Sequence, residues 1–404
     1  MKIKLKLTSA TLLFVGLFLF PACTENGAGN EEETEATTEN NFTPSAEELA
    51  TKEVIARADE LLNEEPVPIT KFTSERSEGG PNDFYSEGDY WWPDPENPDG
   101  PYIRRDGLTN PDNFVAHRQA MRQLNETVAG LVAAYKLTRD DRYAEHAMAH
   151  LNAFFLNPDT RMNPNLLYAQ AIKGKVSGRG IGIIDTIHLI EVARAIEELE
   201  AAGYLKGEAL VGLKDWFDQY ATWMNTHEYG LDEKDHGNNH STWWATQVAA
   251  FAHLTDNAEL MRVARSQFKK LLSAQMDETG GFPEELGRTK PYNYTLFNLE
   301  GYSILAELGT DETENLWTYE GDHGSLLDAW DFMVPYLLTK KKWPYDPDVQ
   351  YFDQIPIQTT GLLLAARAYQ KDHLMKIWRA LDPERQSEEV DRNFPVREPI
   401  LWLP

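Results

Sequence analysis

Val128-Ala129-Gly130-Leu131-Val132-Ala133-Ala134-Tyr135-Lys136-Leu137-Thr138-Arg139-Asp140-Asp141 is the stretch that decides the fold class. Val128, Leu131, Val132 and Tyr135 fall at i, i+3, i+4 and i+7, which places four apolar side chains on one face of a helix. Thr138-Arg139-Asp140-Asp141 is a short polar turn, and a second helical run starts directly after it. Outward from here the same pattern recurs, with helical runs at roughly 113–137, 141–156, 183–202, 206–227, 240–254, 258–276, 296–309, 325–338 and 359–381. Ile187, Ile190, Val192 and Ala195 follow the spacing more loosely, and Thr255-Asp256-Asn257 is another short turn. No period-2 strand ladder of any length and no fixed-period repeat interrupts them. Ten or more helices in about 350 residues, paired by short turns, predict an all-α fold. The arrangement expected is an α/α toroid, complete or incomplete, of about six to seven helical hairpins whose loops at one end build a groove. An irregular helical bundle is the alternative.

Composition narrows the partners. The 404 residues are 42% hydrophobic, 11% aromatic and 25% charged, ordinary values that exclude fibrous and wholly disordered chains. Against 65 Asp plus Glu there are 38 Lys plus Arg, a formal net charge of −27. Nucleic-acid binding over a broad surface needs a cation surplus and is excluded as a partner mode. A polyanionic ligand would require the cations to be concentrated in one cleft. The single cysteine, Cys23, excludes a disulfide framework and a thiolate zinc cluster.

The ends of the chain read differently from its body. Lys2, Lys4 and Lys6 precede an apolar run from Ala10 to Phe20, followed by Phe20-Pro21-Ala22-Cys23. That is the layout of a secretory signal, and the run is too short to span a membrane comfortably. A cysteine at this position resembles the bacterial lipoprotein signal. Residues 1–22 are therefore expected to be removed and Cys23 lipidated. The product would be an exported protein, anchored to the outer membrane at the cell surface or periplasmic face through that lipid alone. Residues 23–44 read as an acidic disordered tether, with six glutamates between 24 and 42. The remaining 45–404 reads as one domain, opened by the Ser-x-x-Glu capping box of Ser45-Ala46-Glu47-Glu48.

Two stretches carry chemistry. Lys71 to Pro111 is a long loop rich in Gly, Pro, Asp and aromatics, and loops of that length are commonly functional. Gly237-Asn238-Asn239-His240-Ser241-Thr242-Trp243-Trp244 opens a helical run and crowds two amides, an imidazole and two indoles into eight residues. This second stretch resembles the signature of the alginate lyase family, α/α-toroid polysaccharide lyases that cleave uronate polymers by β-elimination. Gly281-Phe282-Pro283-Glu284-Glu285-Leu286-Gly287-Arg288 with Tyr292-Asn293-Tyr294 is a second match, and Gly180-Ile181-Gly182-Ile183-Ile184-Asp185-Thr186 a third. The resemblance spans about 85–300. Ser241-Thr242-Trp243 and an Arg288-to-tyrosine spacing of four or six depart from the best-known branch. The chain is more similar to the mannuronan and glucuronan lyases, the thirty-eighth polysaccharide lyase family. The resemblance implies Asn239, His240, Arg288 and Tyr294 as catalytic residues, with Tyr292 the competing tyrosine. It implies an anionic polysaccharide, alginate or glucuronan, as partner, and no cofactor or metal.

These residue types suit such a reaction. Eliminating a 4-O-linked sugar from a uronate requires removal of the C5 proton beside an already anionic carboxylate. That carboxylate must be neutralised, by an amide such as Asn239 and a guanidinium such as Arg288. In mannuronate and glucuronate the C5 proton and C4 oxygen share one side of the ring. A single tyrosine there can act as base and then acid, provided cations such as Arg288 or His240 depress its pKa. In guluronate the two lie on opposite faces, so His240 would be base and Tyr294 acid.

Substrate-holding candidates are Tyr90, Trp91 and Trp92 for ring stacking, with Arg104, Arg105, Arg118, Arg179, Asn238 and Tyr292 for polar contacts. Each has a purely structural counterpart: loop anchoring for the tryptophans, a helix cap for Asn238, a salt bridge to Glu284 or Glu285 for Arg288. His188 reads as a satisfied core histidine, and His146/His150 as structural rather than metal-binding. Two other classes remain open at this point: a glycoside hydrolase using Asp185 and Glu284, and a noncatalytic glycan-binding lipoprotein.

Overall fold

The computed structural model describes residues 42–404; the expected signal, Cys23 and the tether up to residue 41 lie outside the described residues. The first seven helices are α1 (Thr51–Leu61), α2 (Ala116–Thr138), α3 (Asp141–Leu151), α4 (Leu189–Ala201), α5 (Gly207–Thr226), α6 (Glu228–Lys234) and α7 (Asn239–Leu254). They are followed by α8 (Ala258–Gln275), α9 (Pro283–Leu286), α10 (Pro291–Gly309), α11 (Leu326–Leu337), α12 (Thr360–Ala368), α13 (Asp372–Ala380) and α14 (Glu388–Asn393). Helices α2, α4, α7, α10 and α12 pack in succession as an inner row. Outside them, α3 and α1 cover α2, α5 covers α7, α8 covers α7 and α10, α11 covers α10, and α13 covers α12. The fold is an all-α toroid. Five inner helices and six outer ones (α1, α3, α5, α8, α11 and α13) are present among the described residues, against about six to seven hairpins expected. The segments 310–325 and 338–359, where another pair would stand, run as turns, 3₁₀ pieces and a short hairpin.

Burial separates the two layers. In α8 the buried side chains Leu260, Ala264, Phe268, Leu271 and Leu272 form one stripe, as an outer helix requires. In α10 every residue but Glu307 is buried, and in α7 every residue but His240 and His253. An inner helix has neighbours all round, so its polar groups must find partners within the protein. Gln275 serves three of them, its Oε1 accepting from Asn298 Nδ2 at 2.9 Å and Tyr302 OH at 3.0 Å, while its Nε2 donates to Asn238 O at 2.9 Å.

Local chemistry sets the boundaries. Arg139 leaves α2 in the left-handed region (φ 58), and Asp140 caps α3 by accepting from Arg142 N. The Ser45/Glu48 box forms, with Ser45 N donating to Glu48 Oε2 and Glu48 N to Ser45 Oγ. It closes only a turn, because Ala50 is left-handed (φ 47) and α1 starts after it. The predicted run 359–381 is split into α12 and α13 at Tyr369-Gln370-Lys371, where Gln370 has φ 52. The 71–111 loop carries β1 (Tyr85–Glu87), β2 (Trp91–Trp92) and β3 (Ile103–Arg104). β1 pairs in parallel with β4 (Tyr168–Ala171), and β2 pairs antiparallel with β3. Strands of two to four residues were below what period-2 reading detects.

Candidate active site

At one end of the toroid lies a cleft of about 490 Å³. Arg118 from the first turn of α2, His188 just before α4, Asn239 and His240 opening α7, and Tyr294 in the first turn of α10 all line it. Four inner helices thus present their N-terminal ends to the cleft. The partial positive charge of those ends suits an anionic ligand. Of the residues singled out from sequence, Tyr90, Trp91, Arg104, Arg118, Arg179, Asn238, Asn239, His240, Arg288 and Tyr294 line this one cavity.

The start of α7 is built by the Gly-Asn-Asn-His stretch itself. Gly237 makes the turn at φ 91, and Asn238 Oδ1 caps the helix by accepting from His240 N at 3.0 Å. Asn239 and His240 then fall in the first turn, each held by a buried glutamate. Asn239 donates from its backbone N to Glu285 Oε1 and from Nδ2 to Glu285 Oε2, both at 2.7 Å. His240 Nδ1 lies 2.8 Å from Glu233 Oε1. With the carboxylate accepting, Nδ1 carries the proton and Nε2 keeps its lone pair. Burial pushes the carboxyls of both Glu233 and Glu285 above the usual range, opposed by His240 and by the Asn239 hydrogen bonds respectively. Beneath this turn Trp243 packs on Phe297, and Trp244 points to the Met224 carbonyl; both are fully buried.

Tyr294 stands on the opposite wall. Its hydroxyl shares a hydrogen bond with the Tyr90 hydroxyl at 2.7 Å, and the Arg288 guanidinium lies 4.4 Å from its ring centroid. Burial, then Tyr90, lift this phenol well above its ordinary pKa, with Arg288 pulling the other way. The lowering by cations that a tyrosine base needs is therefore outweighed by burial, and Tyr294 rests as a neutral phenol. Arg288 does not pair with Glu284 or Glu285. Its Nε and Nη2 reach Asp106 Oδ2 and Oδ1 at 3.1 and 2.9 Å, and Thr289 Oγ1 adds a bond at 2.9 Å. Although burial opposes it, Arg288 and Thr289 hold the Asp106 carboxyl down at about 2.

Several expectations need correction. Tyr292 is not a cleft residue: it is fully buried, donates to the Tyr336 carbonyl at 3.2 Å and packs on Trp343 and Phe352. Trp92 and Arg105 also lie outside the cleft lining, since the Trp92 indole donates to Leu108 O and Arg105 covers that ring at 5.3 Å. Arg118 lines the cleft, but its donors are spent on Asp89, Asp185 and the Glu87 carbonyl. Arg104 is exposed and paired with Asp106. Arg179 keeps its candidacy, hydrogen-bonded among the described residues only to Gln170 O and Oε1 and set 5.8 Å from the Trp91 ring. Burial draws its guanidinium down to about 10. His188 is buried but makes no hydrogen bond to a described residue, so it is not the satisfied core histidine expected. Asp185 is locked by Ser86, Arg118 and Gln170, and Glu284 is exposed outside the cleft, so the two do not form a hydrolase pair.

Glu233, Glu285 and Asp106 were not foreseen as site residues. Glu285 was quoted within a motif, but nothing in its spacing marked it as the partner of Asn239. Among the described residues no group of three or more His, Cys, Asp or Glu is arranged to hold a metal ion.

Comparison with known proteins follows the same line. The crystal structure of an alginate lyase from Bacteroides ovatus superposes with a TM-score of 0.75 at 29% identity, covering 87% of this chain and 97% of that one. Alginate lyase A1-III from Sphingomonas species A1 matches with a TM-score of 0.50 at 16% identity, covering 80% and 88%. A variant of alginate lyase A1-III complexed with a tetrasaccharide matches with a TM-score of 0.53 at 14% identity, covering 84% and 91%. At the latter identities the likeness concerns the fold. No curated protein matches the chain. The helical toroid and its cleft are those of a polysaccharide lyase. The alginate lyase family model matches residues 69–343, more than half of the chain, and the chain belongs to that family.

Proposed function

We propose that this lyase cleaves 1,4-linked polyuronates by β-elimination, poly-β-D-mannuronate first among them, leaving 4,5-unsaturated uronate ends. The observation that carries the reading is the meeting of Asn239, His240, Arg288 and Tyr294 in one cleft from two separate chain segments. Asn239, fixed by Glu285, and Arg288, freed from Asp106 when a substrate carboxylate competes for it, neutralise the charge that builds at C5. Tyr294, as phenolate, takes the C5 proton and returns a proton to the C4 oxygen as the glycosidic bond breaks. Arg288 over its ring favours that phenolate. His240, oriented by Glu233, presents Nε2 to the same region. Trp91 beside Arg179 offers a stacking face with a carboxylate donor next to it.

The polymer is decided by experiment. Polymannuronate, polyguluronate and glucuronan, each incubated with the protein, are followed by ultraviolet absorbance of the unsaturated product. Fastest product formation on polymannuronate supports the reading; glucuronan as the sole productive polymer shifts it to a glucuronan lyase of the same mechanism. Silence on all three sinks it. We further propose, on the sequence of residues 1–23, that the enzyme is exported and lipid-anchored through Cys23. Metabolic labelling with a fatty acid that persists in Cys23→Ala would contradict this.

A further inference from the structure

The guanidiniums lining the cleft differ in whether their donors are already spent. Arg118 is occupied by Asp89 and Asp185, and Arg392 by Asp89 and Glu389. The acids of this region are likewise used up: Asp89 lies between two arginines, Glu389 is shared by Arg392 and the buried Lys290, and Glu191 accepts the backbone N–H groups of Arg397 and Glu398. Arg122, four residues after Arg118 on the same face of α2, is bridged to no buried carboxylate among the described residues. Its side chain is mostly buried; Nη1 donates to the Glu388 carbonyl at 3.2 Å, and the one carboxylate that Nη2 approaches, at 3.8 Å, is that of the exposed Glu388. Beside it His188 is buried, lines the cleft and makes no hydrogen bond to a described residue. Arg392 adds a buried Nε without a partner. Burial and then four guanidiniums (Arg122, Arg397, Arg385 and Arg392) hold the His188 ring neutral. The His188 ring nitrogens thus reach the cleft with no partner among the described residues, open to a ligand that accepts a hydrogen bond.

We propose that Arg122 and His188 form a second carboxylate-binding subsite at this end of the cleft. It would take the carboxylate of a uronate neighbouring the one that loses its C5 proton. The inference rests on the polyuronate reading above. It adds that the enzyme recognises at least two consecutive uronates, through a wall completed by α14, which lies beyond the residues matched by the family model. A carboxylate there gains the charge-assisted bonds of Arg122 and a neutral donor from His188. Because this contact is equal in ground and transition states, its loss appears in KM rather than kcat.

The test compares wild type, Arg122→Ala, Arg122→Lys and His188→Leu on polymannuronate. In parallel, calorimetric titration with tetramannuronate uses the same changes in a Tyr294→Phe background. The expected result for Arg122→Ala is a KM raised about tenfold with kcat within about twofold, and partial recovery in Arg122→Lys. His188→Leu is expected to raise KM in the same sense and guards against a misfolded Arg122 variant. Unchanged KM and unchanged tetramannuronate affinity in both Arg122→Ala and His188→Leu overturn the subsite. If wild type releases no unsaturated product from any polyuronate, the function proposed above fails. The titration then still decides the subsite, weakened binding in Arg122→Ala supporting it and equal binding overturning it.

Discussion

Tyr294 and Tyr292 are two positions apart on α10, and two residues of an α-helix point about 200° apart, so only one can face the cleft. Sequence supplied both and the spacing from Arg288 did not separate them. What separates them is the apolar cage of Trp343 and Phe352 that closes over Tyr292, built by a segment some fifty residues further along the chain. Tyr294→Phe is expected to lower kcat by at least about 10³-fold with an unchanged circular dichroism spectrum. Tyr292→Phe should leave kcat within about twofold and lower stability by about 1 kcal/mol in denaturant titration, the worth of its bond to Tyr336 O. The resting phenol of Tyr294 adds a pH prediction. If the phenolate is the base, kcat on polymannuronate rises with pH through the neutral and mildly alkaline range, because the phenol's pKa lies above it. A flat profile there would instead make His240 the base. Glu233, seven residues before its partner, was invisible to motif reading since burial rather than spacing defines it. Glu233→Gln is expected to lower kcat about 10–100-fold with little change in KM, through loss of His240 orientation.

At the scale of elements, the helices were legible because their apolar spacing is a local property, and the turns at Thr138–Asp141 and Thr255–Asn257 stand where they were read. The start of α7 was legible as well, its cap being written in Asn238. The short strands and the latch from Asp106 to Arg288 were not, since each pairs residues far apart in the chain. Contact between α10 and α12 gives a prediction of its own. Glu300 on α10 accepts the Gly361 N–H at the start of α12 with both oxygens at 3.0 Å, and burial lifts its carboxyl from 4.5 to about 7. Between those two values the folded protein holds a proton that the unfolded chain has released. Stability from this group is therefore greatest below about 4.5 and is lost as pH rises through about 7. Glu300→Gln should flatten the corresponding part of the melting-temperature profile; an unaltered slope across that window would refute the assignment.

For the molecule as a whole, a toroid of paired helices was readable from run lengths and turns, whereas the number of pairs was not, because the segments 310–325 and 338–359 carry no periodicity to read. The charge balance was readable too. A chain of net charge −27 repels a polyanion at long range, while the helix N-termini and the cleft arginines attract it at short range. On the proposed mechanism, elimination in this cleft runs through Tyr294. The most direct measurement records unsaturated ends and new reducing ends together, for wild type, Tyr294→Phe and Tyr292→Phe acting on polymannuronate. Both signals are expected to rise in equal number for wild type and Tyr292→Phe, and neither for Tyr294→Phe. Reducing ends without unsaturation, or product from Tyr294→Phe at the wild-type rate, would contradict that mechanism.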